Sequence, residues 1–258
     1  MMDIHILITG FVVGTLIGLT GMGGGTIMSP ILIFFMGIKP TIAVGTDLVF
    51  AAVTKTLGAT AHHRQRTVDY RIVKTLLSGS LPGALAGVGI LHLIRDFGYM
   101  NVDFIMKRAL SLMILFVAAS MIYRSFFATN GSDCITEKRC WSLDRKGFLV
   151  TAGFIVGMLV SITSVGSGTL IILIFSTFYR FCPRRMVGTD IMHGLLLTAF
   201  AGILHAGIGH LDYSLLINLL AGSLPGVYLG SVLCFRLPEK ALKFVLAGSL
   251  FAVGLKLF

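Results

Sequence analysis

Three charged residues interrupt otherwise apolar sequence: Asp47, Lys55 and Asp190. A charge deep in a lipid-spanning run costs about 3 kcal/mol on insertion scales, so each is a functional suspect. Two glycine-rich turns accompany them. One is Gly21-Met22-Gly23-Gly24-Gly25-Thr26; the other, 143 residues later, is Ser164-Val165-Gly166-Ser167-Gly168-Thr169. Each turn precedes an apolar run, so its last N–H groups belong to a helix N-terminus, which carries about half a positive charge. Glycine lets an anion approach the backbone. Gly23, Gly24, Gly25, Thr26, Ser167, Gly168 and Thr169 are therefore expected to bind a small anion, with the hydroxyls of Thr46 and Thr189 aimed at it. The bland alternative is glycine for close helix packing.

A carboxylate beside an anion helps only when protonated. Asp47 and Asp190 are thus better proton carriers than ligands, unless they merely complement the dipole at the openings of their segments, behind capping threonines. Lys55 either snorkels toward the cytoplasmic end or attracts anions in an inner vestibule. His62 and His205 are candidates for proton coupling, against an ordinary interfacial role. Asp69 and Asp212 read as N-caps. Pro82 and Pro225 should kink their helices.

The elements that must hold these residues are hydrophobic helices. The chain is 55% hydrophobic and 12% charged, with a mean hydropathy of +0.92. Such a composition excludes a soluble domain and predicts an all-α polytopic membrane protein. Ten apolar segments are expected, at about 4–20, 25–38, 43–61, 71–94, 105–127, 147–163, 168–181, 186–208, 213–235 and 239–257. The second is too short to span, which predicts broken or re-entrant helices at the glycine turns. The net charge of +10 suggests nucleic acid at first sight, but the basic residues sit in short loops. No nucleic-acid partner is expected. Cys134 and Cys140 share one polar loop, and two free thiols are the expectation there rather than a metal pair. The start, MMDIHILITGF, lacks a basic region and a cleavage site and reads as mature sequence.

Residues 10–87 match 153–230 at a constant offset of 143, with about a third of positions identical. Matched pairs include Val44-Gly45-Thr46-Asp47 with Val187-Gly188-Thr189-Asp190, and Gly79-Ser80-Leu81-Pro82-Gly83 with Gly222-Ser223-Leu224-Pro225-Gly226. This is a duplicated unit. The expected organisation is a first membrane repeat over 1–127, a polar cytoplasmic linker over 128–146 and a second repeat over 147–258. Charge sets their orientation. Inverted halves place fifteen loop Lys and Arg on one side and five on the other; parallel halves split them evenly. The positive-inside rule therefore predicts two inverted five-segment repeats with both termini outside. The matched loops agree, since 62–74 carries four basic residues and 205–217 none.

Taken together, L-T-G-M-G-G-G-T, the following proline, A-V-G-T-D, D-Y and G-S-L-P-G resemble the TauE/SafE family of sulfite exporters, over nearly the whole chain. The resemblance implies a membrane transporter of small, sulfur-containing anions such as sulfite or organosulfonates, working in export. This chain departs from the family pattern in its serines at 164 and 167 and in Asp47 and Asp190. No G-x-x-x-x-G-K-[ST] occurs, so drive by a proton gradient or the membrane potential is expected. A passive anion channel, or uptake of a small carboxylate or other organic anion, is the alternative. No H-E-x-x-H or G-x-S-x-G occurs, so neither catalysis, a cofactor nor a metal is expected. The expected partners are a small anion, the lipid bilayer of a prokaryotic cytoplasmic membrane and a further copy of the chain.

Overall fold

The computed structural model describes residues 4–20, 28–97, 101–127, 144–178 and 183–234. Every regular element among them is an α-helix. In order they are α1 (Ile4–Thr20), α2 (Met28–Phe35), α3 (Pro40–Arg64), α4 (Tyr70–Phe97), α5 (Val102–Phe127), α6 (Asp144–Thr163), α7 (Thr169–Phe178), α8 (Pro183–Gly207) and α9 (Tyr213–Cys234). The tenth expected segment, most of the 128–146 linker and both its cysteines lie outside the described residues. Five helices contain stretches long and apolar enough to cross a bilayer: α3, α4, α6, α8 and α9. Helices α2 and α7 have 8 and 10 residues. At 1.5 Å per residue they reach roughly 12 and 15 Å, about half the hydrocarbon thickness. Short helices beside the glycine turns are what the sequence predicts.

Close packing comes from small residues repeated four apart. Helix α1 lies along α9, and α4 along α6. A Cβ at Gly10 would stand 2.7 Å from the Leu219 carbonyl oxygen; at the matched Gly153 it would stand 2.5 Å from that of Leu76. One turn on, Gly14 meets the Ser223 carbonyl and its match Gly157 meets that of Ser80, closer still. The reciprocal glycines do the same: Gly79 meets Val150 where Gly222 meets Leu7, and Gly83 meets Phe154 where Gly226 meets Phe11. With no gain from burying apolar side chains away from lipid, such backbone approach is the main source of helix association. The 143-residue offset thus relates contacts in space as well as letters in the sequence. Each half lends its first helix to the fourth helix of the other.

The central pair is α3 and α8, which match each other across the repeat. Gly58 near the end of α3 faces Ile191 near the start of α8, and Gly202 near the end of α8 faces Val49 in α3. The two helices therefore run antiparallel, as inversion of one half against the other requires. Each starts on a proline, Pro40 or Pro183, a residue suited to the first helical turn because it needs no N–H partner there. Pro82 and Pro225 lie inside the continuous α4 and α9. Asp69 and Asp212 cap as expected. Asp69 Oδ1 accepts from the N–H of Arg71 (3.0 Å) and Ile72 (3.3 Å), and Asp212 Oδ1 from that of Leu215 (3.0 Å).

Candidate functional site

Those proline starts correct one expectation. Thr46, Asp47, Thr189 and Asp190 do not open their helices. They lie about two turns inside α3 and α8, beyond the free N–H groups that a cap satisfies. All four are buried. Thr46 Oγ1 accepts the backbone N–H of Asp212 at 3.3 Å, and Thr189 Oγ1 that of Asp69 at 3.0 Å. These matched bonds tie each half to the start of the other half's fourth helix. Close by, Gly188 packs under His62 and Thr67, and Gly45 under His205 and His210. His62 Nδ1 lies 2.8 Å from Thr67 Oγ1, while His205 is fully buried and its Nε2 donates to the Ser161 carbonyl at 2.8 Å.

The second glycine turn separates α6 from α7 and is bent by two left-handed residues, Ser164 (φ 60°) and Gly166 (φ 98°). The bend brings Ser167 to Lys55. Lys55 Nζ donates to Ser167 Oγ at 2.6 Å, across 112 residues of sequence. The lysine is only 8% exposed. It does not snorkel: its stem crosses to the facing half, where a Cβ at Gly194 would come within 2.8 Å of Nζ. A side chain there would push the end of the lysine aside.

Two carboxylates flank this ammonium within electrostatic reach, Asp47 on its own helix and Asp190 on α8. Their surroundings differ. Ser29, in α2, donates its hydroxyl to Asp47 Oδ2 at 2.5 Å, and the Ser164 hydroxyl approaches the same carboxylate without bonding to it. Asp190 lies against the glycine turn, where a Cβ at Gly168 would stand 3.1 Å from its Oδ2. Among the described residues, Asp190 Oδ1, Asp47 Oδ1, Ser164 Oγ and Thr169 Oγ1 are buried polar atoms without a hydrogen-bond partner. Buried polar atoms usually have partners, so four of them around one turn make this turn the candidate site. His193, one residue before Gly194, is also fully buried, with Nε2 at 2.9 Å from Ser80 Oγ.

This chain belongs to the TauE/SafE sulfite exporter family. The family model, described as "Sulfite exporter TauE/SafE", matches residues 6–257. The chain is 40% identical to the probable membrane transporter protein YjnA of Bacillus subtilis, over 99% of this chain and 100% of that one. It is 25% identical to the probable membrane transporter protein YunE of the same organism, over 100% and 97%. A third relative, the probable membrane transporter protein MJ0441 of Methanocaldococcus jannaschii, is 26% identical over 77% of this chain and 70% of its own. No solved structure matches. This TauE/SafE member is accordingly a multi-pass membrane transporter of the cell membrane.

Of the residues expected to bind substrate, Ser167, Gly168 and Thr169 stand at the buried centre with Lys55, Asp47 and Asp190. Gly23, Gly24, Gly25 and Thr26 lie outside the described residues. Sequence reasoning missed Ser29, Ser80 and His193. His193 was detectable as a histidine inside an apolar segment whose match, residue 50, is phenylalanine. Away from this centre, a cleft of about 500 Å³ opens where α3, α4, α5 and the α8–α9 turn meet. Lys39, Arg95, Asp103 and His210 line it. Burial holds the His210 imidazole below its ordinary pKa, with Arg95 adding to the effect. His210 thus stays neutral at a pH where a free histidine is already charging.

Proposed function

We propose that this TauE/SafE transporter exports small, sulfur-containing anions such as sulfite or organosulfonates, as a secondary carrier driven by the proton gradient or the membrane potential. The observation that carries the reading is the Lys55 ammonium, buried in the bundle and held at 2.6 Å on Ser167 of a glycine turn. A desolvated cation beside backbone free to be approached suits an oxyanion. Ser167, Gly168, Thr169 and Lys55 line the site in this reading. Thr46 and Thr189 contribute by holding the two halves together through the N–H groups they accept.

The test is flux in proteoliposomes, with sulfite, thiosulfate, sulfate, methanesulfonate and acetate offered in turn. Saturable movement of the sulfur anions above acetate is expected. Transport of acetate alone would move the assignment to carboxylates, and no movement of any anion would end it.

A further inference from the structure

The two halves repeat their aspartates but not what surrounds them. Ser29 on Asp47 has Ile172 as its match, Lys55 has Thr198, and His193 has Phe50. Each of these three departures introduces a polar group at the same buried centre, where symmetry would have supplied an apolar or neutral residue. The result is one carboxylate held by its own donor and one that is not. Asp47 accepts the Ser29 hydroxyl, a bond that favours the ionised form. Asp190 accepts no hydrogen bond from a described residue. Its favourable partner is the charge of Lys55, across the α3–α8 interface.

From this asymmetry we infer that Asp190, and not Asp47, takes up one proton for each anion that binds Lys55, so that anion and proton cross together and the cycle moves no net charge. The inference rests on the anion-transport reading above and narrows its driving force: a cycle that carries proton and anion together is indifferent to the membrane potential, and where the outside is the more acid it exports only down the anion's own gradient. In the empty site the Lys55 ammonium offsets the Asp190 carboxylate. An arriving monovalent anion takes the ammonium, and Asp190 is left buried without compensation. A proton on Asp190 resolves this: one negative charge and one positive charge enter, and the total at the centre is unchanged. When the anion leaves, the proton leaves and Asp190 returns to Lys55. Among the described residues, the charged group that acts on Asp190 is Lys55 from α3, and Asp47 and His193 lie within electrostatic reach of that same lysine. His193 is bound to Ser80 of α4, and the α6–α7 turn brings only hydroxyls and backbone. Asp47 takes no proton in this cycle.

The experiment uses the full chain in proteoliposomes with methanesulfonate, which does not itself titrate, and with sulfite in parallel. A potassium diffusion potential is imposed in one arm and a pH gradient in the other, with an entrapped pH dye reporting protons. In the wild type, flux should change less than twofold with potential and at least fivefold with a pH gradient acid on the anion's side, with one proton moving per methanesulfonate. Asp190→Asn should bind the anion, lose the pH response and become sensitive to potential. Asp47→Asn should keep the pH response. Wild-type flux that follows potential and ignores pH overturns the inference without any variant being needed. So does an Asp190→Asn protein that still moves protons, or an Asp47→Asn protein that alone loses them. A wild type inert to every anion in the panel defeats the transport reading, and this inference with it.

Discussion

Lys55 is the residue on which the site turns. Its bond to Ser167 pairs a charged donor with a neutral acceptor, an interaction worth about 1.5–3 kcal/mol where water is excluded. Lys55→Met keeps the stem and its packing but removes the charge. Methanesulfonate or sulfite flux should fall by about ten- to a hundredfold while the protein still inserts and purifies normally. Unchanged initial rates would show that the anion does not meet this ammonium. Gly194→Ala is a milder probe, since its Cβ would press on the flexible end of the lysine, 2.8 Å from Nζ. It should weaken anion binding without abolishing transport. The sequence made Asp47, Lys55 and Asp190 visible because charge is conspicuous in apolar runs. It did not show that Lys55 reaches Ser167, because the offset that aligns the halves says which residues match and not which ones touch. Ser29 was invisible for another reason. A serine in an apolar helix commonly bonds its own backbone, and nothing in the letters says that this one serves a carboxylate 18 residues away.

At the scale of helices, the first nine apolar segments were legible to within a few residues, with α1 and α9 nearly as the sequence predicts. The instructive difference is at α3 and α8. The apolar pattern begins at residues 43 and 186, but the helices begin three residues earlier, on Pro40 and Pro183. Hydrophobicity does not register a proline at a helix start, yet that shift turns two apparent caps into buried mid-helix aspartates. The packing of these helices makes its own prediction. Gly14 and Gly157 are matched positions at which a Cβ would strike a carbonyl of the neighbouring helix. Gly14→Ala and Gly157→Ala should each destabilise the detergent-solubilised protein by about 1–3 kcal/mol, as overpacking does, and by similar amounts. Gly89→Ala, in the same α4 that Gly157 contacts, has open space around it and should be neutral or stabilising. Thermal unfolding of the three variants checks this. Equal, small effects at all three sites would mean that the α1–α9 and α4–α6 seams are not held by backbone approach.

At the scale of the whole molecule, charge alone predicts inversion, whereas the packing of each half's first helix on the other half's fourth was not legible, because lysines and arginines in loops report sides and not neighbours. The antiparallel α3 and α8 place the turn after α3 and the turn after α8 at opposite ends of the central pair. The first of these turns lies among Arg64, Arg66, Arg71 and Lys74, and the second has no basic residue between 205 and 217. Basic loops stay in the cytoplasm. Helix contacts put the two turns at opposite ends, and the charge rule then predicts the 62–74 turn inside and the 205–217 turn outside. Replacing the four native cysteines and introducing Gln65→Cys or Ser214→Cys tests it, since both positions are exposed and neither lies at the buried centre. A membrane-impermeant maleimide should label the Ser214→Cys protein in intact cells and the Gln65→Cys protein only after permeabilisation. Labelling of both from the same side would refute inversion. Labelling with the sides exchanged would keep the inversion and refute the charge rule. An inverted pair presents equivalent helices to the two faces in turn, so the labelling result bears directly on how Lys55 could be reached from each side.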